Sequence, residues 1–464
     1  MMTMANFLIK NITFPIFAHR EGLRGIMQDM RFLEESQFWP LERILELQQS
    51  RLRKLMVHAY ENTDFYRRRF DDAGFNPYTF RYPDQLEGIP VLTKDQIREN
   101  NRAMLAKNFR PDEVHTSQTG GTSGVKMIFY RDNKCLAGKE ASLHRFDRWA
   151  GWDFGRYMGL VWPAHQDFIG YNTFKSKVRN HFYKRLVIFP AAVMDDASCS
   201  DYLGKMRRYL PTMILAFPSP IDELAKYMER NGISDIRVQG IVTTGEPLYD
   251  HQRELLSKVF HCDVLDSYRS REAGPMAQEC EAHEGMHINA EFLHVDIDRQ
   301  NLPAWSDGQT GNVIVTDLLN YGMPLIRYDM DDVAVMNGKS CSCGRGLPLI
   351  DKIMGRALDV FVTPKGGLVP TIALVMYLVN GAPGLIGQMQ IIQDRNDHLT
   401  FRMTRDPLPS AEVMDHQKRI VRKLFGEEMR ITYEYVDGIS RENSGKYMFA
   451  KRMVPLPENT WVRP

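Results

Sequence analysis

Apolar residues in the middle of the chain follow two alternating patterns. Short runs of apolar and β-branched residues, typical of buried strands, alternate with segments in which apolar residues recur at helical spacing. The predicted strands are Met158–Trp162, Leu186–Phe189, Met213–Phe217, Val238–Thr243, Val264–Tyr268 and Val313–Asp317. Two of the helices predicted between them are Ile221–Asn231 and Asp250–Phe260. This alternation predicts an α/β domain with largely parallel strands.

The pattern changes near residue 355, where strands and helices no longer alternate regularly. The elements predicted there are two strands around Gly-Gly over Val360–Pro370, a helix over Thr371–Val379, a hairpin of Gln388–Asp394 and Leu399–Met403, a helix over Ala411–Phe425 and a strand over Arg430–Tyr435. We therefore expect a large N-terminal α/β domain with packed sheets over residues 1–354. A small C-terminal α+β domain is expected over residues 355–464.

Charge and cysteine content narrow the function classes. The 59 Lys and Arg residues nearly balance the 58 Asp and Glu residues, for a formal net charge of +1. A charge this small argues against overall attraction to nucleic acid or to an anionic membrane. Six unevenly spaced cysteines in 464 residues favour a reducing compartment, and hence the cytoplasm. No apolar run reaches the ~18 residues that an integral membrane helix needs.

The N-terminal stretch Met1–Phe17 is mildly apolar, but Lys10, Asn11 and Pro15 interrupt it. Because it also lacks a small-residue cleavage site, we do not predict a secretory signal. Two interpretations remain. The stretch either packs on the protein as a docking segment or lies on a surface as an amphipathic segment.

The strongest local motif runs from Ser117 to Gly124 and reads Ser-Gln-Thr-Gly-Gly-Thr-Ser-Gly. Glycines allow backbone N–H groups to turn toward an anion, and hydroxyl groups add further donors. The motif is not a Walker A loop, since Gly-x4-Gly-Lys-Ser/Thr is absent. By itself, it fits either a phosphate-binding loop or a plain flexible loop.

Five further motifs follow in order along the chain. They are Thr243–Leu248, Asp266–Gly274, Pro324–Asp332, Gly355–Asp359 and Ser444–Lys446. Each of them alone is also consistent with an ordinary turn or surface loop. Their order and spacing, together with the leader segment Leu52–Arg67, resemble the adenylate-forming (ANL) superfamily. The resemblance is to its phenylacetate–CoA ligase-like branch and the CapK-type relatives of that branch.

This resemblance implies a role for each matching residue. The phosphate-binding loop would comprise Ser117, Thr119, Gly120, Gly121, Thr122, Ser123 and Gly124. Gly245 and Glu246 would lie beside adenine, with Tyr268 flanking it. Asp332 would bind the ribose hydroxyls, with Arg356 nearby, and Asp359 would be the hinge of a mobile C-terminal domain. Glu272 would help to hold Mg²⁺, and Lys446 would be the mobile catalytic lysine.

The activity that the resemblance implies is an ATP-dependent, AMP-forming carboxylate ligase. Such an enzyme converts an organic acid, here an aromatic one by family habit, into an acyl adenylate. It then transfers the acyl group to CoA or another thiol, including that of a carrier protein. The alternative is an amide-forming ligase, with an amine acceptor in polysaccharide or natural-product biosynthesis. A homodimer is also consistent with the family.

A second group of residues has the spacing of a metal site. Cys280 and His287 follow the Glu272 motif, and Cys341 and Cys343 form a Cys-x-Cys knuckle. Three thiolates and one imidazole suit tetrahedral Zn²⁺, and some CapK-type proteins carry zinc at this spacing. Four protein ligands would leave no open position, which indicates a structural site. His283 is the alternative histidine ligand, and four unrelated loop residues are the other interpretation.

Two other function classes remain open. The ribose motif departs from the family pattern Tyr-x-Thr-Gly-Asp, since Met330 and Asp331 replace Thr and Gly. A non-catalytic nucleotide-binding relative would explain that departure, but such a protein would not need Lys446. A zinc-dependent hydrolase would instead require an open position on the metal.

Overall fold

The computed structural model describes most of the chain. The described residues are 4–83, 85–118, 127–163, 173–191, 194–299, 310–336, 338–356, 360–371, 374, 378, 389–404, 410–439 and 450–455. Their contacts divide into two compact units. Unit 1 comprises Met1–Asp296, Val313–Met330 and Met336–Lys352, and unit 2 comprises Ile297–Asn312, Asp331–Val335 and Ile353–Pro464.

The helices are numbered in chain order. They are α1 (Met4–Leu8), α2 (Phe14–Arg20), α3 (Ile26–Ser36), α4 (Leu41–Asn62), α5 (Asp64–Asp72), α6 (Lys94–Asn100), α7 (Asn133–Trp149), α8 (Phe174–Arg179), α9 (Asp196–Tyr209), α10 (Pro218–Arg230), α11 (Asp250–Phe260) and α12 (Ala411–Phe425). Two π-helical segments, Ile9–Thr13 and Asn180–Lys184, and one short 3₁₀ segment, Pro111–Glu113, complete the helical structure that we describe.

The strands are β1 (Val114–Gln118), β2 (Ile128–Asp132), β3 (Met158–Trp162), β4 (Leu186–Pro190), β5 (Met213–Ala216), β6 (Gly240–Thr243), β7 (Asp263–Ser270), β8 (Gly274–Glu279), β9 (Met286–Ile288), β10 (Leu293–Asp298), β11 (Thr310–Asp317), β12 (Tyr328–Met336), β13 (Leu349–Arg356), β14 (Val360–Val362), β15 (Leu368–Pro370), β16 (Met389–Arg395), β17 (His398–Thr404), β18 (Arg430–Val436) and β19 (Ala450–Arg452).

Eleven of the described strands form one sheet, in the order β10-β11-β12-β13-β9-β8-β7-β6-β5-β3-β4. Strands β4, β3, β5, β6 and β7 are parallel, as the alternating pattern predicts. Strands β8 and β9 are antiparallel to their neighbours, so the sheet is mixed rather than largely parallel. Short turns rather than helices connect these strands, and a short turn can only join antiparallel neighbours.

Helices cover both faces of the parallel strands. On β5, Ile214 belongs to the core with α9, α10 and α11, whereas the adjacent Met213 belongs to the core with α2, α3 and α7. Successive residues of a strand point to opposite faces, so both must be apolar where both faces are covered. This explains why the strands appear in the sequence as continuous apolar runs.

The predicted boundaries agree closely with the structure. Met158–Trp162 and Asp250–Phe260 are found as predicted, and the other five strands of the large domain differ by only a few residues at their ends. In the part of the chain that the structure describes, no helix is both long and apolar enough to cross a lipid bilayer.

Unit 2 contains a four-stranded sheet in the order β18-β17-β16-β19. The predicted hairpin is confirmed, since β16 and β17 are antiparallel and join at Asn396 and Asp397. The predicted helix Ala411–Phe425 is also found, and its Val421 and Phe425 pack with Phe401 of β17 in the core of this unit. Most of the predicted helix Thr371–Val379 lies outside the described residues.

Candidate functional site

The order of the parallel strands creates a switch point between β3 and β5. The chain runs from β3 outward to the edge strand β4 and then returns to the other side of β3 as β5. In sheets of this kind, ligands bind in the crevice at the carboxyl ends of the two strands on either side of the switch point. Here that position is marked by Trp162 at the end of β3 and Phe217 after β5, whose rings lie 4.6 Å apart and nearly perpendicular.

The Gly245 motif follows β6 and contacts this position directly. Gly245 has a φ of +85°, and a Cβ atom there would lie 2.6 Å from the Phe217 ring. Both the backbone conformation and the close approach therefore require glycine. The backbone N–H of Ser219 donates to Oε2 of Glu246 at 3.0 Å, which ties the loop after β6 to the start of α10.

The Tyr268 motif lies next to the Gly245 motif. Thr243 of β6 pairs with Asp266 of β7, so both motifs emerge at the same edge of the sheet. The carboxylate of Asp266 accepts hydrogen bonds from the Thr243 hydroxyl at 3.1 Å and from the Ser267 N–H at 3.0 Å. Burial, followed by the nearby charge of Glu279, raises the pKa of Asp266 to about 7.

Glu272 is held by buried polar groups. Its carboxylate accepts a hydrogen bond from the Tyr328 hydroxyl at 3.3 Å, and its side chain is largely buried. Nζ of Lys139 donates to the Glu272 backbone carbonyl at 2.8 Å and forms a 2.6 Å ion pair with Asp317. Lys139 and Asp317 were not among the sequence candidates. In the sequence, Lys139 is a charged residue on the apolar face of a helix. Spacing alone does not show whether such a residue is buried or solvated.

Three of the other nucleotide candidates lie on described strands. Ser117 lies on β1 opposite Phe129 of β2. Asp332 lies on β12, and Arg356 is the last residue of β13. The remaining candidates lie outside the described residues: Thr119, Gly120, Gly121, Thr122, Ser123, Gly124, Asp359 and Lys446.

Asp331, which replaces the glycine of the family pattern, has a positive φ angle. Asp331 has a φ of +58°, in the left-handed region that glycine adopts most easily. Asp is among the residues that tolerate this region best, because its short polar side chain can interact locally. Strand β12 therefore has at this position a backbone conformation that suits glycine, and Asp331 places a carboxylate there.

The four metal-ligand candidates are brought together within unit 1. Sγ of Cys280, Cys341 and Cys343 and one ring nitrogen of His287 all lie within 4.8 Å of one another. Cys280 directly follows β8, and His287 lies on β9 opposite Gln278 of β8. On its other side, His287 pairs with Leu349 of β13, and residues 344–348 connect the Cys341–Cys343 knuckle to the start of β13. Three neighbouring strands thus converge on one site.

The distances in this cluster fit zinc. The Cys280 and Cys341 sulfurs are 3.6 Å apart, and Sγ of Cys343 lies 3.4 Å from Nε2 of His287. Zn–S bonds of about 2.3 Å in tetrahedral geometry separate the ligand atoms by roughly 3.5–3.8 Å. The other predicted histidine, His283, instead contacts Glu279 and Arg253. The structure therefore selects His287 over His283.

The residues around the cluster shift the pKa values of its four ligand candidates. Burial raises the pKa of the Cys280 thiol to about 12 and lowers the pKa of His287 to about 4. For Cys343 burial raises the pKa, but hydrogen bonds from Arg345 and the neighbouring thiols outweigh it, so the net pKa is lowered. The Arg345 backbone N–H lies 3.5 Å from Sγ of Cys343, and its guanidinium stacks over Trp149. A neutral imidazole and a cation beside the thiols favour metal binding.

The chain is similar in sequence to known proteins. Residues 361–453 match the CapK C-terminal domain family. The phenylacetate–coenzyme A ligase of Thermus thermophilus is 25% identical over 446 residues, which are 90% of this chain and 98% of that protein. Protein CapK of Staphylococcus aureus is 22% identical over 456 residues, which are 96% of each chain.

A solved structure shows the same fold. The crystal structure of 2-hydroxyisobutyryl-CoA ligase, in the postadenylation state with a bound acyl-AMP, superposes with a TM-score of 0.68 at 19% identity. The match covers 88% of this chain and 89% of that one. Over nearly its whole length the chain is therefore similar to phenylacetate–CoA ligases and to CapK, and it has the fold of a solved adenylate-forming CoA ligase.

Proposed function

We propose that the chain is an ATP-dependent, AMP-forming ligase that activates an organic acid and transfers the acyl group to CoA or another thiol. The observation that carries this proposal is the convergence of three motifs at the switch point of the sheet. Phe217 contacts Gly245, and the strand that carries Tyr268 pairs with the strand before Gly245. Glu272 lies in the turn after the strand that carries Tyr268, where Lys139 and Tyr328 hold it.

The chemistry requires charge neutralisation more than acid–base catalysis. A carboxylate oxygen of the substrate bonds to the α-phosphorus of ATP, and the bond to the β-phosphate breaks to release pyrophosphate. Both reactants are anions, so positive charge must be placed near the α-phosphate. Lys446 is the proposed source of one charge. Glu272 is the proposed ligand for Mg²⁺, which supplies further positive charge when bound.

The second half-reaction exchanges one bond for another. The thiol sulfur bonds to the acyl carbon, the bond to AMP breaks, and the thiol proton leaves to solvent. We propose that residues 355–464 move as a domain about Asp359 between the two half-reactions, which would withdraw Lys446. Domain closure of this kind often limits turnover. The thiol of a carrier protein is an alternative acceptor to CoA. The proposed use of ATP and CoA favours a location in the cytoplasm. A homodimer is consistent with the family.

We also propose that the cluster of Cys280, His287, Cys341 and Cys343 holds a structural Zn²⁺ ion. It lies between the end of β8, β9 and the residues before β13. Four protein ligands would fill a tetrahedral shell, so the ion would stabilise the site rather than activate a water molecule.

The second candidate is an amide-forming ligase, in which an amine nitrogen takes the place of the thiol sulfur. The observation that favours it is the similarity of this chain to the indoleacetate–lysine synthetase of Pseudomonas savastanoi, which is 23% identical over 300 residues. The two candidates share the adenylation step and differ only in the acceptor.

The test is acid-dependent release of pyrophosphate from ATP and Mg²⁺, with hydroxylamine present to trap the acyl adenylate. Aryl, fatty, amino and sugar acids would be screened with the full chain. We expect release with one acid class and its loss in the Lys446→Ala variant. Lys451→Ala is the matched control, because it removes an exposed lysine five residues away. Undiminished release from Lys446→Ala would refute the assignment of Lys446.

A positive acid would then be offered CoA and a panel of amines. Formation of the CoA thioester supports the first candidate, whereas formation of an amide without thioester supports the second. ATP binding without release for any acid would instead favour the non-catalytic relative.

A further inference from the structure

Residues 4–20 form a helical segment that packs along one side against the rest of unit 1. It consists of α1, the π-helical Ile9–Thr13 and α2. Lys10 forms a 3.2 Å ion pair with Asp153, and the ring of Phe14 packs 4.2 Å from that of Phe154. A Cβ atom at Gly155 would lie 2.7 Å from the backbone of this segment, so the contact is close. The segment is therefore docked, as one of the two sequence interpretations expects.

The opposite side of the same segment is apolar and exposed. Phe7, Leu8, Ile12 and Ile16 have exposed fractions of 43–52%. Leu8, Ile12 and Ile16 are four residues apart, so they share one helical face. An ordinary docking helix presents polar residues to water on this side, and packing within the protein does not explain the apolar ones.

A second helical segment extends the exposed surface. It comprises α8 and the π-helical Asn180–Lys184, and the Thr13 hydroxyl donates to its Phe182 carbonyl at 2.6 Å. Phe182 and Val178 are exposed as well. Six of the thirteen large exposed apolar residues in the described chain thus lie on these two segments. Concentration of this kind marks an interaction surface rather than scattered exposure.

The two segments are also strongly basic. Residues 4–20 and 174–185 contain no Asp or Glu. Their Lys and Arg residues are Lys10, Arg20, Lys175, Lys177, Arg179, Lys184 and Arg185. Lys10 and Arg179 pair with acidic residues outside the segments, Asp153 and Glu21. The whole chain has a net charge of only +1, so the positive charge of this helix pair is a local feature.

We propose that the helix pair, residues 4–20 and 174–185, binds the surface of an anionic lipid membrane. Apolar side chains on a docked helix can enter the region between lipid headgroups and acyl chains, while Lys and Arg side chains reach the phosphate groups. A second copy of this chain fits the surface less well. Symmetric pairing would bring two basic surfaces together, and nothing acidic on the two segments would balance them.

The experiment is flotation of the full chain with vesicles of pure phosphatidylcholine and with vesicles that also contain phosphatidylserine. We expect binding to the anionic vesicles and little to the neutral ones, with a loss of binding at high salt. The triple variant Leu8→Gln, Ile12→Gln, Ile16→Gln should bind anionic vesicles at least about tenfold more weakly. The matched control is Leu41→Gln, Leu45→Gln, which changes exposed leucines on α4 and should bind like the wild type.

The charge contribution is tested separately. Arg20→Glu should weaken binding to anionic vesicles, whereas Arg208→Glu, an exposed arginine on α9, should not. Absence of binding to anionic vesicles at low salt would overturn the proposal. So would a triple variant that binds like the wild type. A dimer in light scattering that the triple variant converts to monomer would assign the surface to a second copy instead. None of these outcomes depends on the proposed ligase activity.

Discussion

The Lys139 ammonium group donates a 2.8 Å hydrogen bond to the backbone carbonyl of Glu272. Its second partner is the buried carboxylate of Asp317, at 2.6 Å. One buried cation on α7 thereby links the strand β11 to the loop that carries the proposed Mg²⁺ ligand. Lys139 also packs under the start of β8, since a Cβ at Gly274 would lie 3.0 Å from its side chain. We therefore infer that Lys139 positions Glu272.

Replacement of Lys139 by methionine removes the partner of Asp317 but keeps most of the packing volume. Loss of one member of a buried ion pair costs about 3–5 kcal/mol, and we expect the free energy of unfolding to fall by that order. Urea denaturation measures the change. Lys205→Met is the control, because its ion pair with Asp201 is exposed and should contribute less than about 1 kcal/mol. Equal stability of the two variants would contradict the buried ion pair between Lys139 and Asp317.

Substitution of Gly245 by alanine should disturb the nucleotide motif. The added Cβ would lie 2.6 Å from the Phe217 ring, and the residue has a φ of +85°. We expect a loss of about 1–3 kcal/mol in stability and weaker ATP binding. The control is Gly204→Ala, within α9, where nothing lies within 4 Å of the new Cβ. That change should stabilise the protein by up to about 1 kcal/mol, and a similar result at Gly245 would refute the structural argument.

The conformation of Asp331 can be tested by two substitutions. At a φ of +58°, a β-branched side chain is strained, whereas glycine is not. We expect Asp331→Val to be less stable than Asp331→Gly by about 1–2 kcal/mol in thermal or urea unfolding. Asp331→Gly also restores the residue usual in the family, so its ATP affinity should match or exceed that of the wild type. Equal stability of the valine and glycine variants would show that residue 331 does not have a left-handed backbone conformation in solution.

The carboxyl group of Asp266 should make the free energy of unfolding depend on pH. Its pKa is raised from 3.8 to about 7 by burial and then by the charge of Glu279. Between about pH 4 and 7 the folded chain keeps a proton that the unfolded chain has released. Stability contributed by this group therefore falls as pH rises through that window and is constant above it.

The variant Asp266→Asn has no proton to lose, and its amide oxygen can still accept from Thr243 and Ser267. Its unfolding free energy relative to the wild type should rise from pH 4 to pH 7 and then level off. Urea titrations at several pH values measure the difference. A constant difference across the window would contradict the raised pKa.

Metal analysis tests the proposed zinc site. Purified protein should contain one zinc ion per chain, and Cys341→Ser should lose most of it. Because structural zinc contributes directly to folding, both this variant and the chelator-treated wild type should melt at a lower temperature. His283→Asn is the control, since His283 contacts Glu279 and Arg253 rather than the cluster. Full zinc content in Cys341→Ser would exclude this cluster as the metal site.

The sequence by itself determined the elements whose apolar pattern depends on local geometry. The parallel strands and α11 could be predicted because other elements cover defined sides of each one. The covered sides need apolar residues, and their spacing along the chain indicates a strand or a helix. The Gly-rich loop, the Tyr268 motif and the cysteine spacing were also visible, because their chemistry is contained in a few consecutive residues. The family resemblance then related these motifs to one another.

Only the tertiary structure decided which distant residues meet. The choice of His287 over His283 depends on the pairing of β9 with both β8 and β13, which no local pattern specifies. The Lys139–Asp317 pair joins residues 178 positions apart in separate elements, and a buried charge looks like a solvated one in a sequence. The basic, apolar surface of the helix pair was likewise hidden, because a net charge of +1 averages over the whole chain. Packing brings such residues together, and packing depends on the complete fold.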